Sequence, residues 1–269
     1  MGGRVTDEGE ARLGLDAHQR TVMHRVLREE GASREHVVVY LSGAHAYGFP
    51  SPDSDLDLKA IHIAPTRLLL GLGRVVPTHD RMGIEEGVEI DYTSNELGHA
   101  LDGVLRGNGN FLERVLGDAV IVRGPLLDSL VPLVQRSLSR RVLSHYRGFA
   151  NNQRTELARR PTVKKLLYVL RTTLTGIHLL EAGEMLTDVR LTAPAHAIGG
   201  VDELVERKRA GERTPLQSEE LARWSSRLDA LFDALDLAAA RSRLPAESPN
   251  VAELDAWLIQ VRRSRLEST

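Results

Sequence analysis

Residues 42–59, SGAHAYGFPSPDSDLDLK, constrain most strongly what this chain can fold into. A β-branched run at residues 37–41 precedes them and predicts a short buried strand. The glycines and prolines inside the stretch predict a loop. Residues 53–58, DSDLDL, then open a second apolar strand that is expected to run to about Ala64. Two strands joined by a loop are therefore the first elements that the sequence predicts.

The second strand carries an Asp-x-Asp pair. Because residues two apart in a strand project to the same face, Asp55 and Asp57 are expected side by side, with Leu56 and Leu58 turned to the core. Two carboxylates at that spacing repel each other unless a cation lies between them. All-oxygen ligands suit a hard divalent ion, Mg²⁺ or, as the alternative, Mn²⁺. The pattern predicts a metal site on this strand.

A later strand at residues 88–92 offers a third carboxylate. Its period of two places Glu89 and Asp91 on one face, and we favour Asp91 because it lies nearer the strand end, where a site would open. Three carboxylates around two cations match the arrangement used for in-line phosphoryl transfer. Gly43 would allow close backbone approach to phosphate oxygens, and Ser42 adds a hydroxyl. These residues together indicate nucleotide chemistry.

The remaining pattern predicts an α+β fold, with strands first and helices after them. Asp16 is expected to cap a helix that stops at Gly31, residues 74–87 to form a polar connection, and Thr93 with Glu96 to form a capping box. We expect a mobile tail at residues 1–14, a domain with a small mixed sheet and helices at 15–130, and a helical domain at 131–269. The helical segments are predicted at residues 125–136, 139–159, 163–182, 216–240 and 251–266.

Composition excludes several classes of protein. The 269-residue chain has no cysteine, so disulfides, thiolate metal sites and a cysteine nucleophile are excluded. The formal net charge of −2 does not indicate a polyanion partner. The polar N-terminus lacks the apolar core of a signal peptide, and no apolar run approaches the ~20 residues that span a bilayer. We therefore expect a cytoplasmic protein without a membrane partner.

The stretch around the acids resembles a known signature. An apolar strand, Gly-Ser or Ser-Gly, Asp-x-Asp and a third Asp are typical of the DNA polymerase β nucleotidyltransferase superfamily. Within it, SGAHAYGFPSPDSDLDLKAI is similar to the predicted nucleotidyltransferases of the RlaP type, which are named for an association with RNA repair. The segments GNGNFLERV, HYRGFANNQ and KKLLYVLRTTL resemble other parts of that group, so the likeness covers roughly residues 35–195.

The resemblance implies roles for individual residues. Asp55, Asp57 and Asp91 would bind Mg²⁺ and act as the catalytic residues, while Ser42 and Gly43 would hold nucleotide phosphates. The family commonly has Gly-Ser where this chain has Ser-Gly. Tyr47 belongs to the same loop and either packs against it or contacts the nucleotide. Residues 15–130 would then be the polymerase-β-like catalytic domain.

Basic residues in the helical half offer further contacts. Lys164 and Lys165 open the helix at 163–182, and one of them could reach a triphosphate. Adjacent residues lie about 100° apart on a helix, so we expect at most one of the two lysines to face the site. We favour Lys165, which shares a side with Tyr168 and Thr172, with a solvated helix face as the alternative. Residues 207–209 are expected to be a solvated face or loop. The preceding helix is rich in arginine and is either a nucleic-acid surface or an ordinary helix surface; its arginines are Arg140, Arg141, Arg147, Arg154, Arg159 and Arg160.

Two classes of function follow from the sequence. The first is a Mg²⁺-dependent nucleotidyltransferase that moves a nucleoside monophosphate from a nucleoside triphosphate to an acceptor hydroxyl and releases pyrophosphate. The resemblance favours an RNA or tRNA end as the acceptor, over a protein side chain or a small molecule. The second is a non-catalytic nucleotide-binding sensor or partner protein on the same scaffold. A phosphodiesterase using the same metals is less favoured, because the Ser-Gly turn points to a triphosphate.

Overall fold

The structure is a computed structural model that describes residue 10, residues 12–211 and residues 214–267. The chain forms two compact units, each built from separate stretches of sequence. The sheet unit contains the described residues up to 43, residues 55–138 and the described residues from 248 onward. The helical unit contains residues 44–54 and the described residues of 139–247. Of the predicted tail, residues 1–9 and 11 lie outside the described residues.

A five-stranded mixed sheet forms the centre of the sheet unit. Its strands in chain order are β1 (Glu35–Leu41), β2 (Leu56–Ile63), β3 (Thr78–Glu85), β4 (Val88–Glu96) and β5 (Val120–Arg123). Across the sheet the order is β3-β4-β2-β1-β5. Only β2 and β4 are parallel neighbours in this sheet. The three predicted strands are confirmed, and β4 is longer than expected.

Helices make up most of the remaining described residues, and this mixture confirms the predicted α+β class. No helix in the described part of the chain is long and apolar enough to cross a membrane. In chain order the helices are α1 (Ala17–Ser33), α2 (Gly43–Ala46), α3 (Thr66–Leu70), α4 (Leu97–Leu105), α5 (Gly109–Leu116), α6 (Leu127–Arg136), α7 (Val142–Arg159), α8 (Val163–Ala182), α9 (Val189–Ala195), α10 (Val201–Ala210), α11 (Ser218–Arg241) and α12 (Val251–Glu267).

Helix α1 covers one face of the sheet. Asp16 caps it as predicted: its carboxylate accepts from the Gln19 N–H at 2.7 Å, and the Gln19 side chain accepts from the Asp16 N–H at 3.1 Å. The helix continues past Gly31, so the predicted stop there is wrong. Val22, Met23, Val26 and Leu27 of α1 are buried in one core cluster with Leu56 and Leu58 of β2. Burying these side chains holds the helix and the sheet together.

Two predictions around β3 and β4 are wrong. Residues 74–87 were expected to be a connection, but residues 78–85 form edge strand β3, which a tight turn at Glu86 and Gly87 joins to β4. None of the residues of β3 is buried, four being half-buried and four exposed, and its sequence lacks the alternating apolar pattern of a half-buried strand. Thr93 lies within β4, and Glu96 instead caps α4, accepting from the Gly98 N–H at 2.6 Å.

In the helical unit, α8 has the predicted bounds and is the central helix. The Thr162 hydroxyl caps its start, and Gly183 ends it in the left-handed conformation. Helices α7, α9, α10 and α11 pack against it. The rings of Tyr47 and Phe49 lie 5.9 and 5.3 Å from the ring of Tyr168. Most of the loop between β1 and β2 therefore packs with the helical unit.

Candidate active site

The acids predicted from the sequence come together on two neighbouring strands. Asp57 of β2 lies beside Asp91 of β4 in the parallel register, and Asp55 lies just before β2. The pKa of Asp57 is raised to about 6, mainly by burial and then by the charges of Asp55 and Asp91, with Lys59 acting in the opposite direction. The three carboxylates therefore interact with one another. Glu89 is exposed and lies opposite Ile84 of β3.

Lys59 is a site residue that the sequence analysis missed. Its ammonium lies 2.8 Å from Oδ1 of Asp91 and 3.6 Å from Oδ1 of Asp57. Lys59 is two residues after Asp57 on the same strand, so the period of two that paired Asp55 with Asp57 also extends to Lys59. That signal was available in the sequence. The ammonium partly neutralises the two carboxylates.

The turn after β1 packs directly against Asp57. The Ser42 N–H donates to the Asp57 carbonyl oxygen at 2.7 Å. Gly43 has a φ of +65°, and a Cβ added there would lie 2.1 Å from Oδ2 of Asp57. Only glycine fits this backbone conformation at this distance from a carboxylate. The predicted phosphate-binding turn and the predicted metal-binding acid are therefore immediate neighbours.

The acid cluster suits a divalent cation by its chemistry. Among the described residues, no three His, Asp or Glu side chains are arranged so as to hold a metal ion. The carboxylate oxygens nevertheless match the ligands that Mg²⁺ and Mn²⁺ prefer. The raised pKa of Asp57 reflects a crowded, partly buried cluster that a bound cation would relieve. The carboxylates of Asp55, Asp57 and Asp91 are thus of the right chemical type for such an ion, and its binding by these three residues stays a prediction.

The other candidate nucleotide contacts lie in the helical unit. Tyr47 is buried, and the guanidinium of Arg171 covers its ring at 3.4 Å from the centroid. The Lys165 ammonium donates to the Glu156 carbonyl oxygen at 3.0 Å. Lys164 contributes to a lowered pKa of Asp53, whose main cause is a hydrogen bond with Ser51. A nucleotide contact by Lys164, Lys165 or Tyr47 stays a prediction.

Lys208 was expected on a solvated face or loop, and this expectation is wrong. Lys208 is fully buried, and its ammonium donates to the hydroxyls of Ser51 at 2.6 Å and Ser54 at 3.0 Å. The two serines are also hydrogen-bonded to each other. The Ser54 N–H donates to the Ser51 carbonyl oxygen at 2.9 Å, and the Ser51 N–H donates to the Ser54 hydroxyl at 3.0 Å. Lys208 thus orders the turn immediately before Asp55. Its basic sequence neighbours give no sign of this burial.

The arginine-rich helix α7 carries much of its charge in ion pairs. Arg147 binds Asp236 through two contacts at 2.7 and 2.8 Å. Arg154 lies 2.6 Å from Asp229, and Arg159 lies 2.6 Å from Glu156. Each carboxylate offsets the positive potential that would attract a polyanion. A nucleic-acid surface on this helix stays a prediction.

A mixed sheet that aligns an Asp-x-Asp strand with an Asp on its parallel neighbour is the arrangement expected of polymerase-β-type proteins. The chain belongs to the RlaP family, described as an RNA repair pathway DNA polymerase beta family, whose profile matches residues 18–260. The match confirms the resemblance and extends it beyond residue 195. The family assignment covers both units of the structure.

Individual proteins are also similar to the chain. The uncharacterized protein MJ0002 of Methanocaldococcus jannaschii is 29% identical over 154 residues, covering 56% of this chain and 63% of that protein. The chain thus matches less than two thirds of this relative's length. The crystal structure of a nucleotidyltransferase-like protein from Exiguobacterium sibiricum has 14% identity and a TM-score of 0.32, covering 90% of this chain and 78% of that one.

Proposed function

We propose that this protein is a divalent-cation-dependent nucleotidyltransferase. It transfers a nucleoside monophosphate from a nucleoside triphosphate to an acceptor hydroxyl and releases pyrophosphate. The observation that carries the proposal is the alignment of Asp57 with Asp91, next to the tight turn at Gly43. Membership of the polymerase-β-type RlaP family supports the same chemistry.

The chain's own residues divide the task between them. Asp55, Asp57 and Asp91 hold the cation, which, when bound, lowers the pKa of the attacking hydroxyl and neutralises the charge on the triphosphate. The backbone N–H groups around Gly43 bind phosphate oxygens beside Asp57, because the missing Cβ lets the turn and this carboxylate lie close together. The acceptor hydroxyl releases its proton to solvent water and its oxygen bonds to the α-phosphorus, while the bond from that phosphorus to the bridging oxygen breaks and pyrophosphate leaves.

We further propose that the acceptor is the end of an RNA or tRNA. The family's description as part of an RNA repair pathway supports this choice. The acid cluster itself carries no preference for RNA over a protein side chain or a small molecule, since it acts only on the triphosphate and a hydroxyl. The acceptor is therefore identified by experiment rather than by the acids.

The test incubates purified protein with Mg²⁺, each nucleoside triphosphate labelled at its α-phosphate in turn, and total RNA. We expect label in RNA, and none when the label is on the γ-phosphate. Asp91→Asn should abolish transfer, while Glu89→Gln, a matched change two residues away on the same strand, should retain it.

Three outcomes would contradict the proposal. Full transfer by Asp91→Asn would show that Asp91 is not part of the site. Label in protein instead of RNA would keep the assignment as a transferase, but the acceptor would be a protein side chain. Stabilisation of the protein by Mg²⁺ and a triphosphate, with no transfer to RNA, protein or small molecules in cell extract, would indicate a nucleotide sensor.

A further inference from the structure

The sheet unit contains a cavity away from the acids. It has a volume of about 600 Å³ and lies where β2 ends at His62 and Ile63, bounded by the end of α1, the segment around α3 and Arg265 of α12. This volume lies within the range of small-molecule and cofactor sites. The proposed transfer chemistry makes no use of this cavity.

The cavity is strongly positive. Four arginines and one glutamate line it, which gives a net charge of +3 with its histidines neutral. Burial and, to a smaller extent, the positive charges of His79 and Arg34 together lower the pKa of His62 to about 4, so His62 is neutral at physiological pH. Leu68, Val75 and Val76 add apolar surface beside the charges. The lining thus combines cations with apolar groups.

Two of the four arginines are already paired with carboxylates. Arg34 pairs with Glu30, and Arg265 pairs with Glu35. Within the part of the chain that the structure describes, the side chains of Arg67 and Arg74 make no ion pair or hydrogen bond, and both residues are exposed. They differ in this from Arg147, Arg154 and Arg159 of α7, which carboxylates already neutralise. Arg67 and Arg74 are the arginines available to an incoming anion.

We propose that this cavity binds the phosphate backbone of a single-stranded RNA, with Arg67 and Arg74 contacting the phosphates and the apolar lining contacting the bases. This inference rests on the proposed function, because it supplies the binding site for the RNA acceptor. Phosphate contacts by arginine give affinity without reading sequence. The site therefore accepts RNA of many sequences.

The position of the cavity along β2 defines which part of the RNA it holds. Asp57 and His62 are five residues apart on β2, which is roughly 17 Å at about 3.3 Å per residue, and this odd separation turns their side chains to opposite faces of the sheet. A stacked strand advances about 3.4 Å per nucleotide, so a path around the end of β2 takes at least about five nucleotides. The cavity thus holds the strand several nucleotides from its reacting end. An RNA shorter than this distance gains nothing from it.

The test compares the double variant Arg67→Glu/Arg74→Glu with Arg223→Glu/Arg241→Glu. The second pair consists of exposed arginines of α11 and changes the net charge equally. Affinity is measured by fluorescence anisotropy for labelled RNAs of about 12 and about 3 nucleotides. We expect the cavity variant to bind the longer RNA at least about tenfold more weakly, and the slope of log K against log salt to fall by about 1.4 for two lost phosphate contacts. The control pair and the short RNA should show no such change.

Separate readouts distinguish this inference from the proposed function. Stabilisation by Mg²⁺ and a triphosphate shows that each variant is folded and binds nucleotide; Arg67→Gln/Arg74→Gln replaces the charge reversal if that variant unfolds. If RNA binding depends on the two arginines but no transfer occurs, the cavity assignment holds and the transferase fails. Equal RNA affinity of the two double variants would overturn the cavity assignment. The cavity assignment would also be overturned if changing Arg67 and Arg74 weakened the binding of a mononucleotide as much as the binding of RNA. The cavity would then be a nucleotide site.

Discussion

The ammonium of Lys59 lies 2.8 Å from Oδ1 of Asp91, inside the acid cluster. It offsets carboxylate repulsion that a divalent cation would otherwise relieve. We predict that Lys59→Met lowers the free energy of unfolding of the metal-free protein by about 1–2 kcal/mol, because the pair is partly buried. The stabilisation gained from Mg²⁺ should rise. Urea unfolding in EDTA and in Mg²⁺ measures the stability of the metal-free protein and the stabilisation by Mg²⁺, with Lys165→Met as the control. An equal effect of Mg²⁺ on the two variants would contradict the neutralising role of Lys59.

Asp57 should weaken the metal-free fold. Its pKa is raised to about 6 by burial and by its acidic neighbours, so keeping it ionised costs free energy in the folded state. We predict that Asp57→Asn raises the free energy of unfolding by about 1–3 kcal/mol in EDTA at neutral pH and abolishes transfer. Asp118→Asn, at an exposed position, should change neither. A destabilised Asp57→Asn protein would show that the carboxylate is well compensated without metal.

Comparing Gly→Ala at Gly43 and at Gly87 separates the cost of backbone strain from the effect of a clash at the site. Both have positive φ, but a Cβ at Gly43 meets Asp57, whereas a Cβ at Gly87 meets nothing within 4 Å. Each Gly→Ala change should cost about 1–2 kcal/mol from the left-handed conformation. Only Gly43→Ala should also displace Asp57 and lose most of the transfer activity. Denaturation and transfer assays on both variants check this, and full activity of Gly43→Ala would refute the close packing.

Lys208 should stabilise the turn that precedes Asp55. Its ammonium donates to Ser51 and Ser54 without contact with solvent, so Lys208→Met leaves their hydroxyls without this donor. We predict a loss of about 1–3 kcal/mol in the free energy of unfolding. Lys164→Met should cost less, because Lys164 is only partly buried. Thermal and urea unfolding provide the comparison, and an unchanged Lys208→Met protein would mean that the serines satisfy each other.

Two buried histidines should make stability depend on pH. Burial lowers the pKa of His36 and His62 to about 4, against about 6.5 in the unfolded chain. The folded state therefore binds fewer protons between these values, and stability falls as the pH falls from about 6.5 towards 4, by up to about 1.4 kcal/mol per pH unit for each histidine.

The raised pKa of Asp57 acts in the opposite sense below pH 6, so the measurement compares variants. His62→Gln should flatten the dependence of the urea midpoint on pH, while His18→Gln at an exposed position should keep it, since both buried histidines remain. A His62→Gln protein with the wild-type slope would mean that His62 is already protonated in the fold.

Local patterns predicted most of what lies within single elements. The bounds of α8 follow from its apolar period, its Thr162 cap and its terminal Gly183. The neighbouring side chains of Asp55 and Asp57 follow from the period of two. The same period includes Lys59, which the sequence analysis overlooked. These features depend on residues a few positions apart, so the chain's local order is sufficient to predict them.

Contacts between distant residues required the tertiary structure. Periodicity placed Glu89 and Asp91 on one face, and only the register of β4 against β2 puts Asp91 beside Asp57. Edge strand β3 is held by hydrogen bonds to β4 rather than by burial, so its sequence lacks the apolar alternation that would predict it. Lys208 is buried by serines more than 150 positions earlier. The sequence by itself predicted most of the elements and indicated a type of chemistry, whereas long-range packing decided which charges meet, because burial depends on the residues that cover a side chain.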